Sequence, residues 1–373
     1  MPGPLNGLKV IELAGLGPAP LACMLLADLG ADVVRVDRPG GNQVGFKFEP
    51  RFGVLNRGKQ VVELDLKDPQ AVRTVMAMVA SADVLVEGYR PGVAERMGLG
   101  PEVCRQHNPR LVYGRVTGWG QDGPLAQVAG HDINYLALSG ALAAMGPREK
   151  PAIPLNLLGD FGGGSLYLVF GILSALFERQ RSGQGQVVDA AMVDGVASLM
   201  STFFGQYAAG TFSLQRQDNL LDGAAPFYDV YETADGAWVS VGALEPKFFE
   251  ELVTAVGLEG DWTVRQYDRA GWPEMRLAFK NCFATRTRDE WSELLAHRDV
   301  CFAPVLSLGE TAAHPHHVQR RTYTKVDGIV QPSPAPRFDR TPAEPVGGVP
   351  LHKTPAPEVL ARWTNRTRGD RHE

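Results

Sequence analysis

Apolar residues along the chain fall first into short runs separated by breakers. LKVIEL (residues 8–13) has the length and bulk of a buried strand, AGLGPAP breaks it, and LACMLLADLG then reads as a helix ending at Gly30. ADVVRVD (31–37) is the next strand. The rhythm repeats with VVELDL (61–66), a helix over about 68–81, and DVLVEGY (83–89). A short helical segment and RLVYGRVTGWG (110–120) follow. Strands that alternate with helices must pair in parallel, since each crossover returns the chain to the same end of the sheet. The pattern predicts a doubly wound, Rossmann-like α/β domain.

Beyond residue 160 the pattern changes. A long apolar helix is expected from Gly162 to about Arg181, then a short strand and a helix in GQVVDAAMVDGVASLM (185–200). FYDVYETADGAWVSVGAL (227–244) alternates as a hairpin does, with Asp235-Gly236 at its turn. Amphipathic helices fill about 246–300. The expected division is a large domain over 1–190, linker helices over 191–225, a smaller α+β domain over 226–310 and a linker over 311–329. The proline-rich stretch from Gln331 to Trp363 is expected as an extended strap that completes the large domain with the rest of 330–373. No internal repeat is evident.

Composition narrows the function. Apolar residues make up 44% and charged residues 21% of 373, an ordinary globular balance. The net charge of −5 gives no global basic field for nucleic acid. Cys23, Cys104, Cys282 and Cys301 are far apart and form no C-x-x-C pair, which points to a reducing compartment and to neither a disulfide framework nor a zinc site. The start MPGPLNGLKVIEL lacks the layout of a secretory signal. The longest apolar run, SLYLVFGILSALF (165–177), falls short of the roughly 20 residues of a membrane span. A cytoplasmic location with no membrane partner is the expectation.

Five segments carry candidate chemistry. GHDINYLALSG (130–140) crowds a histidine, an aspartate, an asparagine and a tyrosine ahead of an apolar run. Buried polar groups cost free energy unless paired, so this cluster is either a satisfied structural knot or a reactive one. In LNLLGDFGGGS (155–165), Asp160 precedes three glycines. It is either a helix cap or an acid beside a backbone that something approaches closely. N–H groups at such a helix start can stabilise an oxyanion. Arg38 after the second strand, and Tyr89, Arg90 and Arg96 in EGYRPGVAERMGLG (87–100), lie where open α/β sheets bind ligands and suit a phosphorylated nucleotide. Glu245 in GALEPKFF (242–249) reads by itself as a helix cap.

Other motifs count for less. GLGPAP resembles a dinucleotide loop followed by an acid at Asp37, but Pro20 occupies the place of the third glycine. HPHH (314–317) has poor convergent geometry for a metal, and no metal site is expected. Asn365-Arg-Thr is a glycosylation sequon by pattern only, and the RGD near the end reads as chance.

Taken together, GLKVIELAGLGPAP, LADLGADVVRVDRP, EGYRPG, TGWGQDGP, AGHDINYLALSG, PLNLLGDFGGG, RSGQGQVVDAAMVDG and GALEPKF resemble the class III CoA-transferase (CaiB/BaiF) superfamily, and within it the alpha-methylacyl-CoA racemases. The resemblance spans nearly the whole chain. It implies that Asp160 matches the superfamily's transferase nucleophile, and that His131 is the addition that marks the racemases. The two would then act as acid and base on opposite faces of the α-carbon of an acyl-CoA thioester, interconverting 2-methylacyl epimers through an enolate. It further implies that Glu245 orients His131. Asp132 would either support His131 or hold a backbone group. The enolate oxygen could be bound by N–H groups at Asp160, Phe161 and the glycine turn. CoA contacts carry over to Arg38, Leu64, Asp65, Leu66, Lys67, Gly88, Tyr89, Arg90, Arg96, Gly130, Ile133, Asn134 and Tyr135. Asn134 and Tyr135 would face the thiol arm. The loop GFKFEPRFGVLNRGKQ (45–60) departs from the family pattern. An interlocked homodimer is implied, with no cofactor beyond the CoA of the substrate. CoA transfer, with Asp160 as nucleophile, is the alternative activity.

Overall fold

The computed structural model describes residues 3–41, 49–343 and 347–369, with the backbone alone for 365–369; residues 45–48 of the divergent loop therefore lie outside the described residues. Six strands form one parallel sheet: β1 (Lys9–Leu13), β2 (Asp32–Asp37), β3 (Lys59–Glu63), β4 (Val84–Glu87), β5 (Val112–Thr117) and β6 (Val187–Ala191). Their order is β3-β2-β1-β4-β5-β6, so the winding direction reverses between β1 and β4. A ligand crevice forms at the carboxyl ends of the strands at such a reversal. Adjacent residues of each strand serve opposite faces. Val10, Val33, Val84 and Val112 pack with Leu26 and Ile172 on one side, while Ile11, Val34, Leu85 and Tyr113 pack with Val75, Met78 and Trp363 on the other. Burial on both faces is why these strands read as apolar runs.

The chain divides into two compact units: Met1–Gly140, Pro154–Met200 and His316–Glu373 make the first, and Ala141–Ile153 with Ser201–Pro315 the second. This differs from the sequence division in three places, the first being that the expected linker over 191–225 is shared out, up to Met200 with the first unit and from Ser201 with the second. Residues 141–153 group with the second unit. The residues after Pro315, expected to begin in a linker, belong to the first. There β10 (Tyr323–Val326) and β11 (Ile329–Pro332) form a hairpin, after the second unit's β7 to β9 described below. Arg57 fixes it, donating to Gln331 Oε1 at 2.9 Å and to the Pro332 carbonyl at 2.6 Å.

The end of the proline-rich stretch is also not a strap. Ala356–Gly369 is a helix, with Val359 and Trp363 fully buried. Pro357 lies in its first turn, where no helical N–H is needed, so the proline that suggested an extended chain is compatible with a helix start. Lys9 Nζ donates to the Trp363 carbonyl at 2.9 Å, and Asp32 accepts from both the Arg362 guanidinium and the Trp363 indole.

The apolar run 165–177 extends further than its sequence suggests. A π-helix over Leu157–Leu166 continues into the α-helix Tyr167–Ser182. The resulting 26-residue helix is long and apolar enough to cross a membrane by length and composition. Here its Leu168, Ile172 and Ala175 are buried in the sheet core. Gly114 of β5 leaves room for them: a Cβ there would lie 3.0 Å from Leu168 Cδ1.

In the second unit β7 (Tyr228–Glu232), β8 (Trp238–Gly242) and β9 (Phe302–Pro304) form an antiparallel sheet in sequence order. Its core is aromatic: Tyr231 stacks on Phe283 with centroids 5.3 Å apart, beside Phe227, Phe249, Phe279 and Trp291. Arg276 pairs with Asp229 and donates to the Gly223 and Ala224 carbonyls, tying helix Trp272–Phe283 to the hairpin.

Candidate active site

The segments leaving all six parallel strands converge on one cavity of about 640 Å³. Ala14–Pro18 follow β1, Arg38 follows β2, and Leu64–Lys67 follow β3. Gly88–Pro91 follow β4, Gly118 and Trp119 follow β5, and Met192 follows β6. Gly130, His131, Tyr135 and Asp160 complete the wall. Arg38, Lys67 and Arg90, all exposed, bring three cationic side chains to this lining. Positive charge around a crevice of this size suits the phosphates of a nucleotide.

Asp160 is held from four directions. Its backbone N–H donates to Asp132 Oδ1 at 2.7 Å, and its carbonyl accepts from Ser165 Oγ at 3.1 Å. Ser165, fully buried, also bonds the Pro18 carbonyl at 2.8 Å. The carboxylate accepts from Asn156 Nδ2 at 3.2 Å. Gly17, at φ 67°, packs so close that a Cβ would sit 3.0 Å from Asp160 Oδ2. Only glycine combines that backbone region with that space. Burial pushes the Asp160 carboxyl above its ordinary value, and the nearby Asp132 acts in the same direction. The Asn156 hydrogen bond and His131 oppose them.

His131 is the N-cap residue of the helix Asp132–Leu138, in extended backbone at φ −134°. Its side chain is exposed. Its N–H donates to Asn134 Oδ1 at 3.0 Å, which fixes the backbone from which the imidazole projects. Tyr135, one turn on, is buried and lies edge-on to Trp119 with centroids 4.8 Å apart. Its phenol is pushed up to about 12, by burial first and then by Asp160.

Two local expectations change. The Asp160 N–H is committed to Asp132 and is not an oxyanion donor. Of the two roles open to Asp132, the structure shows it holding a backbone group. What approaches the glycine backbone is the helix Met192–Leu199. A Cβ on Gly163 would meet Val196 N at 2.8 Å, and one on Gly164 would meet Met192 Cγ at 2.9 Å. The glycines let two helices touch, and that contact seats Asp160.

The sequence as a whole matches a known group: residues 5–353 fit the profile of CoA-transferase family III. The chain belongs to CoA-transferase family III. It is 47% identical to the alpha-methylacyl-CoA racemase of Mus musculus over 91% of this chain and 88% of that protein. It is 45% identical to the Homo sapiens alpha-methylacyl-CoA racemase over the same shares. The crystal structure of a CAIB/BAIF family protein from Brucella suis superposes with a TM-score of 0.83 at 26% identity, covering 97% of this chain and all of that one.

Within this family III chain the cavity gathers most of the residues singled out from sequence: Arg38, Leu64, Asp65, Leu66, Lys67, Gly88, Tyr89, Arg90, Gly130, His131, Tyr135 and Asp160. Asp132, Ile133, Asn134 and Arg96 are not among its lining residues. Ile133 and Asn134 are exposed on the helix behind His131, and Arg96 ends the four-residue helix Val93–Arg96. Glu245 belongs to the second unit, as N-cap residue of the helix Pro246–Val256. Trp119, Met97, Ala126 and Met192 also line the cavity, and the sequence by itself does not mark them as site residues. Their place in the wall follows from the strand-end geometry, which only the assembled sheet reveals. Among the described residues no three His, Cys, Asp or Glu side chains gather as a metal-holding group.

Proposed function

We propose that this chain interconverts (2R)- and (2S)-2-methylacyl-CoA thioesters by 1,1-proton transfer, with His131 and Asp160 as the acid/base pair. The observation that carries this reading is that both side chains line one strand-end cavity with three cations beside them, in a chain 47% identical to a protein named alpha-methylacyl-CoA racemase. The CoA phosphates would meet Arg38, Lys67 and Arg90, leaving the thioester deep in the cavity. One group removes the α-proton, an enolate forms, and the other group returns a proton on the opposite face. Each turnover needs one partner protonated and one not. Burial of Asp160 favours its neutral form and brings its proton affinity toward that of an imidazole. The reaction needs no metal or redox group, and CoA enters as part of the substrate.

Glu245 remains the residue assigned to orient the His131 ring, and Glu245→Gln is its test. The functional form in this reading is an interlocked homodimer in a reducing, cytoplasmic compartment. Four free cysteines and the exposed apolar side chains Leu166, Phe170 and Phe177 support it. In heavy water, either epimer should gain deuterium at the α-carbon and both should approach one mixture. Absence of exchange with a panel of branched acyl-CoAs overturns the reading. A hydroxylamine-sensitive aspartyl adduct, with activity unaffected in His131→Ala, replaces it with CoA transfer through Asp160.

A further inference from the structure

Beneath the cavity wall lies a chain of charges, buried at Glu87 and Arg115 and open to solvent at Glu95, that no step above uses. Glu87, the last residue of β4, is fully buried. Its two oxygens do different work. Oε2 accepts the backbone N–H of Tyr89 at 2.6 Å, and Oε1 accepts from Arg115 Nε of β5 at 2.8 Å. Arg115 reaches on with its NH1 group to Glu95 Oε1 at 2.9 Å, on the short helix Val93–Arg96. The first and last contacts of this chain fall on one segment, residues 88–97, which supplies Gly88, Tyr89, Arg90, Pro91, Val93 and Met97 to the cavity. The Tyr89 hydroxyl closes the arrangement by donating to the Ala14 carbonyl at 3.3 Å, across the topological reversal.

The Glu87–Arg115 pair is costly to bury. Desolvation pushes the Glu87 carboxyl upward despite the Tyr89 N–H and Arg115, which both act to lower it. Arg115 NH2 is buried with no hydrogen-bond partner among the described residues. A well-packed apolar pair would hold two strands together as well or better. What a carboxylate adds is a fixed direction for the Tyr89 N–H at the point where the chain leaves the sheet. What Arg115 adds is a second anchor for the same segment, at Glu95, six residues after Tyr89.

We propose that Glu87 and Arg115, with Glu95, are positioning residues for binding of the CoA portion: they lock residues 88–97 in the shape that presents Tyr89 and Arg90 to the ligand, without touching it. The proposal rests on the reading of the cavity as an acyl-CoA site. It predicts an effect on binding and little on chemistry, because the acid/base pair stands on other segments.

The test measures CoA affinity by calorimetry, kcat and KM for a turned-over acyl-CoA, and Tm, for Glu87→Gln, Glu95→Gln and Asp28→Asn. Asp28 makes a comparably buried pair with Arg57, 3.0 Å from Nε to Oδ1, outside the cavity lining. Loss of one charge-assisted bond is worth about a factor of ten or more. Glu87→Gln should therefore weaken CoA binding and raise KM about tenfold, with kcat within about threefold. Glu95→Gln should shift the same quantities in the same direction by less. Asp28→Asn should lower Tm while leaving CoA affinity unchanged. Wild-type CoA affinity in Glu87→Gln, or an equal affinity loss in Asp28→Asn, overturns the proposal. Should Glu87→Gln fail to fold, Glu95→Gln decides, since its carboxylate is partly exposed: unchanged CoA affinity there overturns the proposal. Wild-type protein that binds no CoA overturns the cavity reading, and this proposal with it.

Discussion

The carboxylate of Asp132 accepts the backbone N–H of Asp160 at 2.7 Å, joining the turn after His131 to the π-helix that carries Asp160. Asp132 is buried, and its other oxygen has no hydrogen-bond partner among the described residues. It therefore ties the backbone of Asp160 to the residue next to His131. Asp132→Ala should lower kcat by about 10- to 100-fold and destabilise the fold by about 1–3 kcal/mol, the cost of an unsatisfied buried donor. Asp132→Asn keeps an accepting oxygen and should retain most activity. Equal losses in the two variants, by steady-state kinetics and thermal melts, would contradict a role as backbone anchor.

If His131 and Asp160 serve opposite faces of the α-carbon, each takes the proton of only one epimer. His131→Ala and Asp160→Asn should each lose racemisation by at least about 10²- to 10⁴-fold. Residual deuterium exchange, followed by NMR from pure epimers, should favour opposite epimers in the two variants. Exchange of the same epimer in both would require a single mobile base.

Asp160 also makes a stability prediction with a definite sign. Its folded-state carboxyl is raised above its ordinary value near 3.8, mainly by burial. The protonated form is thus favoured by folding. The associated stability is fully present below the unfolded value and is lost as pH rises through the raised folded value. At neutral pH the ionised group opposes folding, so Asp160→Asn should melt higher than wild type at pH 7. The difference should vanish on acidification below about 3.8. A lower Tm for the variant at pH 7 would show that the carboxylate's contacts outweigh its burial.

The arginines should separate. Arg38 and Arg90 line the cavity, and Arg96 does not. Arg38→Ala and Arg90→Ala should each raise KM about tenfold with small changes in kcat, as expected for lost phosphate contacts. Arg96→Ala should raise it by less than about threefold. The same KM penalty in all three would place Arg96 on the ligand.

Gly17→Ala should be more harmful than its size suggests. The position has φ 67°, and the new methyl would meet Asp160 Oδ2 at 3.0 Å. Left-handed backbone alone costs an alanine about 1–2 kcal/mol. A fall in kcat beyond the change in Tm is expected if the displaced carboxyl takes part in the proposed proton transfer.

Much of this site is legible in the sequence because strand ends are. LKVIEL, ADVVRVD, VVELDL and DVLVEGY are visible as apolar runs, and each hands its next residues to the cavity. His131 and Asp160 stand out as polar residues beside apolar stretches. What sequence does not disclose are contacts made by backbone. The Asp132 bond to the Asp160 N–H crosses 28 residues, and nothing in GHD signals it. The glycine triplet reads equally as room for a ligand or for a helix, and the helix at Met192–Leu199 occupies it. Pro357 misleads because a proline in a first helical turn and a proline in an extended strap look alike. Arg96 follows a strand end closely in sequence, but a short helix carries it out of the cavity lining.

The helix Ala356–Gly369 has a consequence for how this protein is made. Lys9 and Asp32, on the first two strands, find their partners in Arg362 and Trp363, 354 residues from Lys9 in the case of the Trp363 carbonyl. During synthesis the ribosome delivers the sheet early and the helix that covers one of its faces only after the whole second unit. Until then the face carrying Ile11, Val34 and Leu85 has Val75 and Met78 against it but lacks the Val359 and Trp363 side chains that complete its core. Contacts of such long range are slow to form, and uncovered sheet surface is prone to aggregation. Chaperone demand during translation should therefore be high for this chain, and a stop codon placed before Ala356 should yield insoluble protein even though every cavity residue has already been made.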